Sequence, residues 1–278
     1  MRLPKVLVVT GTSTDVGKTI ATAALLVDLR SRGARVAVVK PAQTGVGPQD
    51  AGDLQEVCRL AGLAGLRGEI RTGEPTALRT MAGEDARVTA YEGVRLRDPL
   101  APAAAARRAG VTLPSVREHA RVIAELAKSH DVVLVEGAGG LLVELDSAAG
   151  TLADLGVAVA TLGHDLGCLL VSAPGLGTLN HTALTAEALR RRSLPLVGVL
   201  VGSWPRPPHE PDLAMRENLT DLPRAAGAPL CGVISDGAGE LDAGGFAAAV
   251  PRWLGAGLTA AAGTPAAGTS PASGAGAR

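Results

Sequence analysis

The chain has 278 residues, a formal net charge of zero and 46% hydrophobic residues. That length can bury a sizeable core as one α/β domain or split into two, and the balanced charge gives no electrostatic footing for nucleic acid or an acidic membrane. Aromatic residues make up only 1%, too few for a platform on which bases stack, so the core has to come from Val, Leu, Ile and Ala.

In chain order, strands are expected at 5–10, 35–39, 132–136, 168–172, 196–201 and 229–234. Helices are expected at 18–32, 51–62, 102–109, 115–129, 152–162, 179–192, 212–225 and 242–253. Short, continuous Val/Leu-rich strands alternating with helical patterns predict an α/β fold, a doubly wound, mainly parallel sheet with helices on both faces. Ligands in that architecture gather at the carboxyl ends of the strands. Residues 63–100, rich in Gly, Arg and Thr, read as loop plus short elements and a candidate flap. A single domain is expected over 1–255. From 256 the chain is, apart from Leu258, Ala, Gly, Thr, Pro and Ser up to Arg278, a composition expected to stay disordered.

The first element carries the strongest signal. In KVLVVTGTSTDVGKTI, residues 5–20, an apolar run meets a Gly/Thr-rich loop that opens a helix. Backbone N–H groups of such a loop wrap an anion, and the helix N-terminus adds roughly half a positive charge. Lys18 can reach terminal phosphates and the Thr19 hydroxyl can bind Mg²⁺. Five residues separate Gly11 from Gly17, where the common phosphate-loop pattern has four.

Lys5, Lys18, Lys40 and Lys128 are the only lysines, and arginine supplies the rest of the 27 basic residues. A lysine amine is not interchangeable with guanidinium in catalysis, which draws attention to Lys40 in KPAQTG, residues 40–45. It is placed at a strand end, with Pro41 fixing the exit. Asp53 falls in the first turn of the next helix, where an acid also suits the helix dipole; Asp50 is the cap by position. The strand DVVLVEGAGG, residues 131–140, ends in Glu136, and an acid at the end of a buried strand is costly unless it faces an ion or a partner. GLGTLNHT, residues 175–182, places glycines and Thr178 before a helix, a second possible anion site; His181 reads equally as a surface or core residue. Trp204 in GSWPRPP either faces a base or packs on the sheet. Cys58, Cys168 and Cys231 follow no metal or redox spacing and read as small buried apolar groups in a reducing compartment. The apolar run of the first strand enters the loop directly, so no leader is expected. No run of about 20 apolar residues suggests a membrane span, and a cytoplasmic protein is expected.

Taken together, GTSTDVGKT, KPAQTG, VLVEGAGGLLVEL, GTLNHT, LPLVGVLVGSW and LDAGGFAA resemble the dethiobiotin synthetase family, in family order, over residues 3–254. The family shares the longer loop spacing. The resemblance implies a phosphate-loop NTPase-type fold and a homodimer that uses ATP and Mg²⁺ to join CO₂ to 7,8-diaminononanoate. It implies nucleotide contacts from Asp15, Val16, Gly17, Lys18, Thr19, Ile20, Asp53, Glu136, Gly137, Ala138, Gly139, Gly202 and Ser203. Metal contacts would come from Thr19, Asp53 and Glu136, and substrate contacts from Thr14, Lys40, Thr44, Gly177, Thr178 and Asn180. Lys18 and Lys40 would be catalytic. Gly202 and Ser203 stand where family members often carry an asparagine that reads adenine, so the resemblance does not carry a preference for ATP over other nucleoside triphosphates. The competing readings are a partitioning-type or cobyrinate-diamide-synthetase-like ATPase and a nucleotide-dependent switch.

Overall fold

The computed structural model describes residues 3–48, 50–63, 80–82 and 87–255. Among them, the strands are β1 (Val6–Gly11), β2 (Val36–Gln43), β3 (Thr80–Ala82), β4 (Val88–Arg95), β5 (Val132–Gly140), β6 (Leu166–Ser172), β7 (Leu196–Trp204) and β8 (Leu230–Ser235). The α-helices are α1 (Lys18–Ser31), α2 (Asp53–Leu60), α3 (Pro102–Ala109), α4 (Val116–Ser129), α5 (Leu152–Thr161), α6 (Thr178–Arg191), α7 (Leu213–Ala226) and α8 (Ala243–Trp253). The strands form one sheet in the order β3-β4-β2-β5-β1-β6-β7-β8. The pairings from β4 to β8 are parallel, and β3 is an antiparallel edge on β4.

Alternate residues of the central strands face opposite layers, as a two-residue period requires. Leu7, Val9, Val36, Val38, Val132 and Leu134 pack with α1, α2 and α8. Val6, Val8, Ala37, Val39, Val133 and Val135 pack with the α4 and α5 layer. The continuous apolar runs arise because both faces are covered. Each fully buried Val or Leu contributes about 1.5–3 kcal/mol of transfer free energy. Cys58, Cys168 and Cys231 are buried, unbridged members of this core. Burial pushes the Cys58 and Cys168 thiols up to about 12, so they stay protonated and inert.

Local capping explains where the helices begin. Ser115 and Glu118 form a reciprocal box at α4, and Thr151 and Asp154 form another at α5. Asp212 and Asp242 cap α7 and α8. By contrast, α1 and α6 start at left-handed Gly17 and Gly177 without a side-chain cap. Their first N–H groups are therefore not consumed by a capping side chain.

Three expectations are corrected. The stretch expected to hold loop and short elements contains β4, an eight-residue strand that pairs parallel with β2 and carries β3 on its other edge. Its sequence VTAYEGVR lacks a continuous apolar run because Glu92 and Arg95 are buried against each other. Lys40 and Glu136 lie inside β2 and β5, which run on to Gln43 and Gly140. Finally, α2 begins at Asp53 with Gly52 as its cap, while Asp50 accepts the Gly47 N–H at 2.8 Å. The candidate tail 256–278, residues 64–79 and residues 83–86 of the candidate flap lie outside the described residues. No described helix is long and apolar enough to cross a membrane.

Candidate active site

The loop between β1 and α1 is folded around its glycines. Gly17 has φ +94°, a region that L side chains avoid. A Cβ there would stand 2.7 Å from the Gly202 carbonyl oxygen, and a Cβ on Gly202 would overlap the Val16 carbonyl. The end of β7 thus braces the loop by backbone contact, and only glycine fits. This is the structural reason for Gly202 at the position singled out above. Asp15 also takes a left-handed conformation, φ +56°, and its side chain is exposed. Lys18 is buried and donates to the Ser13 carbonyl at 2.8 Å.

Lys40 is 3% exposed. Its ammonium is paired with Asp53, donates to Glu136 Oε1 at 2.8 Å and to the Gly137 carbonyl at 3.2 Å. Glu136 is fully buried. Its Oε1 also accepts the Thr19 hydroxyl at 2.8 Å, while Oε2 is buried with no hydrogen-bond partner. Burial is the largest single influence on Lys40 and lowers its pKa, but the charges and hydrogen bonds of Glu136 and Asp53 together outweigh it and leave it raised. Lys18 is lowered, first by burial and then by the Lys40 charge.

These groups open on a cavity of about 860 Å³. Thr14, Asp15, Gly17, Lys18 and Thr19 form one side; Lys40, Thr44, Asp53, Glu136, Ala138 and Gly139 line it further. Sequence reasoning missed Gln43 and the apolar wall supplied by Ala42, Val143 and the segment from Pro99 to Pro102. The proline pair in DPLAP at the entry to α3 was the available signal.

The other candidates do not line this cavity. Val16 is buried in the core and Ile20 packs against it. Ser203 donates to Asp236 at 2.7 Å, and Trp204 packs on the β6–β7 layer rather than lining the cavity. Gly177, Thr178 and Asn180 do not line the cavity either. The Thr178 hydroxyl is buried 2.5 Å from Ser172 Oγ, so only its backbone could greet a ligand; Asn180 and His181 are exposed.

A family model described as an AAA domain matches residues 5–237. The chain is 51% identical over 249 residues to the ATP-dependent dethiobiotin synthetase BioD of Streptomyces coelicolor, covering 90% of this chain and 91% of that one. It is 45% identical to the Rhodococcus jostii enzyme of the same name over 90% and 94% of the two chains, and 42% identical to that of Mycobacterium leprae over 87% and 92%. Among solved structures, the septum site-determining protein MinD of Pyrococcus horikoshii OT3, complexed with Mg-ADP, superposes with TM-score 0.53 at 17% identity, covering 84% of this chain and 82% of that one. The McdA–ATP complex from Cyanothece gives 0.53 at 15%, covering 86% of both. The structural likenesses share the phosphate-loop fold, whereas identity near one half along nine-tenths of both sequences places this chain in the dethiobiotin synthetase family of ATP-dependent ligases.

Proposed function

We propose that this chain joins CO₂ to 7,8-diaminononanoate and closes a cyclic urea, giving dethiobiotin, a nucleoside diphosphate and phosphate. The observation that carries this reading is the buried Lys40 ammonium, set between two carboxylates and facing the same cavity as the phosphate-loop Lys18. A nucleotide switch has no need of a second buried cation; a reaction between two anions does.

In this reading an amine of the substrate takes up CO₂ as a carbamate. A carbamate oxygen then attacks the γ-phosphorus, the bond to the leaving diphosphate breaks, and a carbamic–phosphoric anhydride results. The second amine attacks the anhydride carbonyl, losing its proton, and phosphate departs with the oxygen it received. Lys18 neutralises the terminal phosphates, and Lys40 holds the carbamate beside the γ-phosphate. Thr14 and Thr44 offer hydroxyls near the amines, and Pro99–Pro102 packs on the aliphatic chain. The N–H groups of the 12–19 loop cradle the phosphates.

Mg²⁺ suits this site. The unpartnered buried Glu136 Oε2, the Thr19 hydroxyl and the half-exposed Asp53 carboxylate form an all-oxygen set. No cluster of three or more His, Cys, Asp or Glu side chains gathers among the described residues. That fits an ion that keeps waters and takes further ligands from phosphate. Bound there, it would neutralise phosphate charge.

The reading further includes a homodimer in which Gly177, Thr178 and Asn180, at the uncapped start of α6, receive the substrate carboxylate bound by a second copy. Leu176, 91% exposed beside Gly177, supports such a contact.

The test is single-turnover reaction with freshly dissolved ¹⁸O-labelled bicarbonate. Released phosphate carrying one labelled oxygen supports the anhydride. Unlabelled phosphate beside a labelled urea would overturn it.

A further inference from the structure

A second buried ion pair lies on β4, in the stretch read from sequence as loop plus short elements. Arg95 is 3% exposed and Glu92 is 6% exposed. All five guanidinium N–H donors have acceptors. Nε and Nη2 donate to the two oxygens of Glu92 at 2.7 and 2.9 Å. Nη1 donates to the carbonyls of Gly47 at 3.1 Å and Asp50 at 2.7 Å, and Nη2 also reaches Gln55 Oε1 at 3.2 Å. Two of the five bonds therefore hold the connection between β2 and α2, and a third holds the first turn of α2.

That connection ends in Asp53. The Asp53 N–H donates to Gln43 Oε1 at 2.8 Å, and the Gly52 N–H donates to Gln55 Oε1 at 3.0 Å. A Cβ on Gly52 would stand 2.9 Å from both Arg95 Nη2 and Gln43 Oε1. Arg95 and Gln43 thus form a fitted seat for the first residues of α2. From that seat the Asp53 carboxylate reaches Lys40.

We propose that Arg95, oriented by Glu92, is a positioning residue that fixes Asp53 against Lys40 and so sets the geometry of the reacting cluster. Glu92 balances the guanidinium charge, which leaves the other three donors free to grip uncharged acceptors. Lysine would keep the charge but cannot span this fork. The inference rests on the functional reading above for its kinetic consequence, and on geometry alone for the seat.

Two measurements test it in the full chain. Arg95→Lys should raise backbone hydrogen exchange across residues 47–55 by about tenfold or more while β1 and the 12–19 loop keep their protection. Gln55→Ala, which removes one acceptor and leaves the ion pair, should do the same to a lesser degree. Unchanged exchange over 47–55 in both variants would overturn the seat. In diamine-dependent phosphate release, Arg95→Lys should lower kcat about tenfold in the native background and less than about twofold in an Asp53→Asn background. The nucleotide KM should hold in both. Equal losses in the two backgrounds would overturn action through Asp53. A native chain without diamine-dependent release would refute the function instead, and the exchange measurement would still decide the seat.

Discussion

Lys40 and Glu136 meet at 2.8 Å in the interior of the sheet, one 3% exposed and the other fully buried. A buried pair of this kind is poor evidence for stability, because desolvation offsets much of the attraction. It is good evidence for a site when one carboxylate oxygen is left without a partner, as Glu136 Oε2 is. Asp53 completes the pairing from the start of α2.

Lys40→Ala should abolish turnover while sparing nucleotide binding, because the phosphate loop stands without Lys40. The expected fall in kcat is about 10²-fold or more, with nucleotide affinity from a fluorescent analogue nearly unchanged. The two carboxylates lose their cation, so stability should also drop by about 3 kcal/mol. Undiminished turnover would remove Lys40 from the chemistry.

Glu136→Gln keeps the shape of the side chain and removes its charge. The Mg²⁺ concentration for half-maximal activity should rise at least about tenfold, and directly titrated Mn²⁺ should bind correspondingly more weakly. An unaltered titration would take Glu136 out of the metal shell.

Gly202→Ala tests the brace behind the phosphate loop. The added methyl meets the Val16 carbonyl, a backbone atom that cannot swing aside. Overpacking of this kind costs about 1–3 kcal/mol, and here it falls on the loop, so nucleotide affinity should weaken roughly tenfold or more. Ser203→Ala, which removes a hydrogen bond to Asp236, should leave affinity intact. Normal binding by the Gly202 variant would show that the loop does not depend on β7.

His119 sets an acid limit on stability. It is 1% exposed with Nδ1 unpartnered, and burial holds its pKa down to about 4, against a weaker opposing pull from Glu118 and Asp146. The unfolded chain takes up a proton near pH 6.5 that the folded chain refuses until about pH 4. Stability is therefore full above 6.5 and falls as pH drops through that window, by up to about 3 kcal/mol. Denaturant midpoints between pH 7 and 4 should show this slope, and His119→Gln should flatten it. An equal slope in the variant would assign the effect to other groups.

The legible parts of the fold were those with a local physical cause. Val6 to Val9 announced a strand because both faces of β1 are covered, and Gly11 and Gly17 ahead of Lys18 and Thr19 announced the loop because phosphate cradles need them. The helix expected from 115 is α4, which starts at Val116 behind the reciprocal Ser115–Glu118 bonds. β4 was not read as a long strand because Glu92 and Arg95, three residues apart on it, neutralise each other, a compensation that hydropathy cannot register. The same holds for the cavity wall: Pro99 and Val143 converge only through the sheet order. Gly202 was noticed as a missing side chain, whereas its meaning is a backbone contact with Val16.

The most direct test of the central claim is phosphate release with Mg²⁺, bicarbonate and 7,8-diaminononanoate, with ATP and CTP in parallel and dethiobiotin assayed as product. The account predicts release that requires the diamine and matches dethiobiotin formed, with both nucleotides supporting it. Release indifferent to the diamine, with no dethiobiotin, would contradict the account and leave a phosphate-loop ATPase acting on something else.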